Sequence, residues 1–151
     1  MKRQVWLAFF VIPVLAFGLA TNVAASEDQG ESLDLTATLS PGQGSDLRGT
    51  AQVTINLSTS VLCWELEYTT TEQPIAAHIH RGAAGVNGPV VFGFFPDFNE
   101  GCRPASPTEV AVIRDIANDP GNFYVNVHTT AHPSGAGRGQ LSTNGDDQES
   151  E

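Results

Sequence analysis

Short segments in which apolar and polar residues alternate, separated by glycine- and proline-containing turns, make up most of the chain from residue 32 onwards. Leu33, Leu35, Ala37 and Leu39 alternate with polar neighbours in the first of these segments. A period of two places successive side chains on opposite faces of an extended strand, so that one face is buried and the other is solvated. The pattern therefore predicts a domain of antiparallel strands.

Seven segments with this alternating or continuously apolar character predict strands. They span residues 33–39, 51–57, 61–68, 75–80, 89–95, 122–129 and 137–143. The last two are expected to pair as a hairpin across a turn that contains Pro133. Many short strands joined by turns fit an all-β fold, an antiparallel β-sandwich or a barrel-like domain of Greek-key or immunoglobulin-like type.

One segment follows a helical period instead. Ser106 and Glu109 have the spacing of a capping box, and Pro107 would occupy the first helical position. The spacing predicts one short helix over 107–117, preceded by a loop over 96–107. No other helix is expected in the mature domain.

The first 25 residues have the pattern of a cleaved signal peptide. Lys2 and Arg3 precede an apolar run over 5–20, and small residues at Ala24 and Ala25 suit cleavage before Ser26. The run has 16 residues, fewer than the roughly 18–20 that a membrane-spanning helix needs, although an uncleaved anchor is the alternative. We therefore expect an exported protein, secreted or periplasmic, with no membrane span after cleavage.

Export sets the expected domain boundaries. A polar linker over 26–31 would lead into one domain over 32–143, followed by an acidic, disordered tail over 144–151. The mature chain would keep five arginines, no lysine and all 17 acidic residues. Such a charge repels phosphate backbones and anionic lipid, so nucleic acid is not an expected partner.

The chain has two cysteines, Cys63 and Cys102. An isolated pair in an exported protein predicts a disulfide between them. The alternative is that Cys63 acts as a metal-binding thiolate, but its position within a predicted strand does not favour this.

Two blocks of the sequence resemble the CHRD (chordin-type) domain family. The first runs Ala-His-Ile-His-Arg-Gly over 77–82, and the second runs Phe-Tyr-Val-Asn-Val-His-Thr over 123–129, followed by Pro133, Gly135 and Arg-Gly-Gln-Leu over 138–141. The resemblance covers about 32–141 and implies an extracytoplasmic β-rich domain. Such domains occur alone in microbial proteins and as repeats in an animal growth-factor antagonist. The resemblance implies no particular reaction, and the cysteine pair is not part of it.

All four histidines of the chain fall within these blocks, and three of them lie on predicted strands. His78 and His80 point to the same face of their strand, about 6.5–7 Å apart. If the strand over 122–129 lies beside them, His128 supplies a third imidazole. Three imidazoles and an open position suit copper or zinc. The fourth histidine, His132, is a weaker candidate because it lies in a loop before Pro133.

The alternative reading is that each ring only hydrogen-bonds to a backbone carbonyl or a polar side chain. Glu65, Glu67, Tyr124, Asn126 and Arg138 are the candidate partners. Tyr124, Asn126 and Arg138 would otherwise orient the metal ligands or line a ligand-binding face. For Arg138 we expect a structural ion pair with Glu65, Glu67 or another acidic residue.

These features lead to three hypotheses for function. The first is an exported binding module for a metal ion, another small ligand, or an envelope or extracellular protein. The second is a small copper- or zinc-dependent enzyme that uses His78, His80 and His128. The third is a structural or adhesive envelope domain, in which the histidines serve only as hydrogen-bond partners. No nucleophile elbow or phosphate-binding loop is recognisable in the sequence.

Overall fold

The structure, a computed structural model, describes residues 32–143. The expected signal peptide over 1–25, the linker over 26–31 and the acidic tail over 144–151 lie outside the described residues. Within 32–143, no helix is long and apolar enough to span a membrane.

The described residues form nine strands, one α-helix and one 3-10 turn. They are β1 (Ser32–Pro41), β2 (Arg48–Asn56), β3 (Val61–Thr69), β4 (Pro74–Arg81), β5 (Val90–Gly93), β6 (Glu100–Pro104), α1 (Glu109–Asn118), the 3-10 turn Pro120–Asn122, β7 (Phe123–Thr129), β8 (Gly137–Gln140) and β9 (Ser142–Thr143). The prediction of an all-β domain with one short helix is confirmed.

The strands belong to one antiparallel sheet, which curls into a half-barrel. Its order is β5-β4-β7-β8-β1-β2-β3-β6, and β9 pairs with β1. Strand β1 connects the two halves of the sheet: most of its length pairs with β2, while its end, at Ser40 and Pro41, pairs with β8. The histidine-bearing strands β4 and β7 are direct neighbours in this order.

The apolar face of each alternating strand lines a continuous core. Leu35 and Leu39 of β1, Ile79 of β4 and Val125 of β7 are all essentially inaccessible to solvent. Helix α1 covers part of this core with Ile113 and Ile116. Ala77 and Ile79 of β4 and Val125 and Val127 of β7 point into this core. Because side chains alternate along a strand, His78, His80 and His128 face the other side of the sheet.

The side chain of Arg103, on β6, bridges the two edge strands of the curled sheet. Its Nε donates a 3.1 Å hydrogen bond to the carbonyl of Gly93 on β5. The guanidinium lies 3.7 Å from the ring centroid of Phe92 and 4.4 Å from that of Phe95. It also donates two hydrogen bonds, of 2.9 and 2.6 Å, to the carboxylate of Glu109 at the start of α1.

Strand β6 is the main difference from the sequence-based expectation, which had a loop over 96–107. Cys102 lies directly opposite Cys63 in the pairing of β3 with β6, and the two form the expected disulfide. Residues 100–104 include a glycine and a proline, so strand propensity does not identify them. An edge strand tolerates Pro104, because its missing N–H has no neighbouring strand to pair with.

Two other expectations need correction. Helix α1 begins at Glu109 rather than at Pro107, and its N-cap residue, Thr108, makes no side-chain capping bond. Only half of the capping box forms: the Glu109 carboxylate accepts a 2.8 Å hydrogen bond from the Ser106 backbone N–H. The expected strand over 137–143 divides at Leu141, whose N–H donates to the Phe123 carbonyl and whose side chain enters the core.

Candidate metal centre

The pairing of β4 with β7 places three histidines on one patch of the sheet surface. His80 lies opposite Tyr124, His78 opposite Asn126, and Ala76 opposite His128. His128 is therefore diagonal to His78, within the reach of side chains on one sheet face. The expectation that these strands are neighbours and present their histidines to the same side is confirmed.

The three imidazoles converge on a common point. Their ring centroids lie 5.9 Å apart for His78 and His80, 5.1 Å for His78 and His128, and 5.8 Å for His80 and His128. One ring nitrogen from each histidine lies within 4.8 Å of the corresponding nitrogens of the other two. The rings thus form one compact cluster, hereafter the histidine cluster.

Each histidine of the cluster has one buried ring nitrogen without a hydrogen-bond partner. Within residues 32–143, the buried side-chain nitrogen and oxygen atoms without a partner are His78 Nδ1, His80 Nε2 and His128 Nε2. A buried polar atom without a partner is costly, and native structures have few of them. That all three belong to one cluster indicates a site shaped for something that binds imidazole nitrogens.

Backbone carbonyls hold two of the rings in the tautomer that a metal ligand needs. His80 Nδ1 lies 3.0 Å from the carbonyl oxygen of Gly88, and His128 Nδ1 lies 3.0 Å from that of Pro133. A carbonyl oxygen only accepts, so Nδ1 carries the proton in both rings and Nε2 keeps its lone pair. Hydrogen bonds of this kind, from the ring nitrogen that does not bind the metal, orient most metal-binding histidines in proteins.

Burial favours the neutral form of two of the rings. Burial is the main cause that lowers the pKa of His78, and the neighbouring His128 and His80 lower it further. Burial also lowers the pKa of His80, although its bond to Gly88 acts in the opposite direction. A neutral imidazole has a lone pair available for a metal ion, whereas a protonated one does not.

Tyr124 and Arg138 extend this surface on one side of the cluster. The Tyr124 ring stacks on His80, with 5.0 Å between centroids, and its hydroxyl accepts a hydrogen bond from the Gly88 N–H. The Arg138 guanidinium lies 4.0 Å from the Tyr124 ring centroid. Asn126 is buried on β7, between β4 and β8, and its Nδ2 donates a 3.5 Å hydrogen bond to the Ser134 carbonyl oxygen.

The expected carboxylate partners are not part of this site. Glu65 and Glu67 lie on β3, whose neighbours are β2 and β6. The prediction of an ion pair for Arg138 is also wrong. Within the described residues its guanidinium contacts no carboxylate and donates instead to Asn87 Oδ1 and to the Val86 carbonyl. The loops after β4 and β7 therefore supply the hydrogen-bond partners of the histidines and of Arg138 that were expected from strand β3.

The sequence reasoning also missed a carboxylate–histidine pair next to the cluster. His132 Nδ1 lies 2.9 Å from the carboxylate of Glu72, which also accepts a hydrogen bond from the Thr129 hydroxyl. The bond from Thr129 is the main cause that lowers the pKa of Glu72, and the bond from His132 adds to it. His132 is therefore engaged outside the histidine cluster, and Glu72 anchors the loop that carries Pro133.

The comparison with family models decides where this chain belongs. The sequence model described as the CHRD domain matches residues 32–141. The chain belongs to the CHRD domain family. Both histidine-bearing strands of this CHRD domain, and the loops that orient their rings, lie within the matched region. No match was found among the curated proteins or the solved structures.

Proposed function

We propose that this CHRD domain is a binding module that holds a copper or zinc ion through His78, His80 and His128. The observation that carries the proposal is that these three histidines each bring a ring nitrogen within 4.8 Å of the other two, while each has a buried ring nitrogen without a hydrogen-bond partner. A polar cluster that served only for internal hydrogen bonding would be expected to satisfy these atoms.

The donor set suits these metals. Zinc and copper both accept neutral imidazole, and three histidines leave a coordination position for a further ligand. Metal–nitrogen bonds of about 2.0–2.1 Å in a tetrahedral site separate the nitrogens by about 3.3 Å. The three rings would therefore move slightly towards each other when the ion binds.

The residues next to the cluster would form the face that meets the further ligand. Tyr124 packs against His80, and Arg138 packs against Tyr124. Asn126 lies on β7 opposite Arg138 of β8 and adds amide hydrogen-bonding groups. These side chains support a role in binding a small molecule or a partner protein and carry no assigned catalytic step.

Metal analysis tests the proposal directly. The protein is purified without a polyhistidine tag, reconstituted with Cu or Zn, dialysed and measured by inductively coupled plasma mass spectrometry. We expect one ion per chain in the wild type and loss of that ion in His80→Ala. His132→Gln is the matched control, because it removes an imidazole outside the cluster but keeps an N–H donor for Glu72, and we expect it to retain the metal.

Two results would contradict the proposal. One is a wild-type protein that holds neither ion at stoichiometric level after reconstitution. The other is equal metal loss in His80→Ala and His132→Gln, since the metal would then not depend on the cluster. Circular dichroism of each variant establishes that the fold is retained.

We also propose that the domain acts outside the cytoplasm after cleavage of residues 1–25. CHRD domains occur in extracellular proteins, and the disulfide between Cys63 and Cys102 is typical of an oxidising compartment. The test is the intact mass of protein recovered from the periplasm or medium of an expressing cell. We expect a mature chain that begins at Ser26, and a full-length mass in that fraction would overturn the proposal.

A further inference from the structure

A cleft of about 320 Å³ lies beside the histidine cluster. The residues that line it share one property, the lack of a carboxylate. They are His80, Asn87, Tyr124, Asn126, Ser134 and Arg138, together with four glycines. Arg138 is thus the one fixed charge of the lining, in a chain whose formal net charge is −10.

The surrounding structure holds the Arg138 guanidinium in place at this cleft. Its plane packs 4.0 Å from the Tyr124 ring centroid, Nη1 donates to Asn87 Oδ1 at 3.1 Å, and Nη2 donates to the Val86 carbonyl at 3.3 Å. Both acceptors are neutral. A guanidinium has five N–H donors, so donors remain available to a ligand in the cleft.

Two arginines of the described residues are balanced by side-chain ion pairs. Arg81 pairs with Asp115 at 2.6 Å, and Arg103 pairs with Glu109 at 2.6 Å. Within the described residues, Arg138 pairs with no acidic side chain. A cleft that presents a guanidinium held by neutral partners and paired with no carboxylate has the electrostatics of an anion-binding site.

We infer that this cleft binds a small carboxylate, held through the guanidinium of Arg138. The planar fork of arginine matches the two oxygens of a carboxylate. Tyr124, Asn126 and Asn87 supply polar groups around the remainder of the ligand. The inference goes beyond metal binding, because the contacts that support it require no metal ion, although His80 belongs to both the cleft and the histidine cluster.

The test uses succinate as the charged probe and succinamide as its neutral counterpart. Each is titrated into the metal-free, tag-free protein while backbone amides are followed by two-dimensional NMR. We expect saturable shifts at Gly88, Asn126 and Gly135 with succinate, and at least tenfold weaker binding of succinamide.

Variants establish whether Arg138 is responsible. We expect Arg138→Gln to weaken succinate binding at least tenfold, and Arg138→Lys, which keeps the charge but loses the fork, to weaken it less. Arg114→Gln is the matched control. It removes one positive charge from α1, away from the cleft, so succinate binding should stay within about twofold of the wild type.

Three results would overturn the inference. They are the absence of succinate-dependent shifts up to about 20 mM, equal binding of succinate and succinamide, and equal losses in Arg138→Gln and Arg114→Gln. None of these depends on metal content. Failure of the carboxylate site is therefore distinguishable from failure of the metal site, which the elemental analysis of the wild type decides separately.

Discussion

At the scale of single residues, the histidine cluster depends on backbone groups more than on other side chains. Gly88 and Pro133 lie in loops that fold back over the outer face of β4 and β7, and their carbonyls fix the rings of His80 and His128. The two loops therefore determine which nitrogens meet. Rings held in this way lose little further freedom when they bind a ligand, which favours affinity.

Gly88 provides a test of this arrangement. A Cβ at Gly88 would lie 1.6 Å from the Arg81 carbonyl oxygen, so Gly88→Ala has to displace the loop and the carbonyl that orients His80. We expect metal affinity to fall about 10- to 100-fold, measured by competition with a chromophoric chelator. The control, Gly121→Ala, meets no atom closer than 4.0 Å and should retain wild-type affinity. Equal affinities of the two variants would contradict the role of the Gly88 carbonyl.

The strand face on which each histidine lies was predictable from the sequence, but the hydrogen-bond partners of the imidazole rings were not. Alternation placed His78 and His80 on one face of their strand, and His128 joined them on the condition, now met, that the two strands are neighbours. The partners of His80 and His128 are backbone carbonyl oxygens. Every residue has one, so the residue types of a sequence do not reveal which carbonyl will be the partner. The prediction that Glu65 and Glu67 are partners was wrong for a different reason. Sequence composition does not say which distant strands are neighbours, and β3 pairs with β2 and β6.

At the scale of elements, helix α1 is fixed to the edge of the sheet by Glu109 and Arg103. The two hydrogen bonds from Arg103 are the main cause that lowers the pKa of Glu109 to about 2, and the Ser106 N–H contributes. A carboxyl whose pKa is lower in the folded than in the unfolded state stabilises the fold above its ordinary pKa of 4.5. This contribution is lost as the pH falls from about 4.5 towards 2.

The corresponding prediction concerns Glu109→Gln. We expect this substitution to lower the free energy of unfolding by about 1–3 kcal/mol at neutral pH, measured by urea denaturation. The difference from wild type should shrink as the pH falls from about 4.5 towards 2, because the wild-type carboxylate becomes protonated. Asp115→Asn is the control. Its ion pair with Arg81 is about half exposed, so its loss should cost less than about 1 kcal/mol. A difference that does not change with pH would contradict the account.

The elements that the sequence failed to predict have a common physical cause. Strand β6 and the division between β8 and β9 are both determined by pairing with strands distant in the chain. Glu100–Pro104 has little strand propensity of its own and is held by its neighbour β3 and by the disulfide. Local patterns identify strands that bury an alternating face, and they miss strands that exist because a partner is present.

At the scale of the whole molecule, the disulfide and the histidine cluster belong to different parts of the sheet. Cys63 and Cys102 connect β3 to β6, whereas the histidines lie on β4 and β7. In the sheet order, β8, β1 and β2 lie between β7 and β3. The covalent link therefore stabilises the fold without forming part of the proposed metal site.

Replacing both cysteines by serine separates these roles. The disulfide closes a loop with a sequence separation of 39 residues, for which the chain-entropy relation gives about 4 kcal/mol. We expect the double variant to lose about 2–4 kcal/mol in urea denaturation. While it remains folded, it should still hold one metal ion per chain. Loss of the metal from a folded double variant would contradict the separation of the two roles.

The central claim is that three specific ring nitrogens coordinate one ion, and imidazole NMR measures this directly. Metal-free protein with ¹⁵N-labelled histidine is titrated with Zn²⁺ and, separately, with Cu⁺, and ring nitrogens are followed by long-range ¹H–¹⁵N correlation. The account predicts that His78 Nδ1, His80 Nε2 and His128 Nε2 shift together and saturate at one equivalent, while the nitrogens of His132 do not. If neither ion shifts these three nitrogens, or if His132 responds in their place, the claim is contradicted.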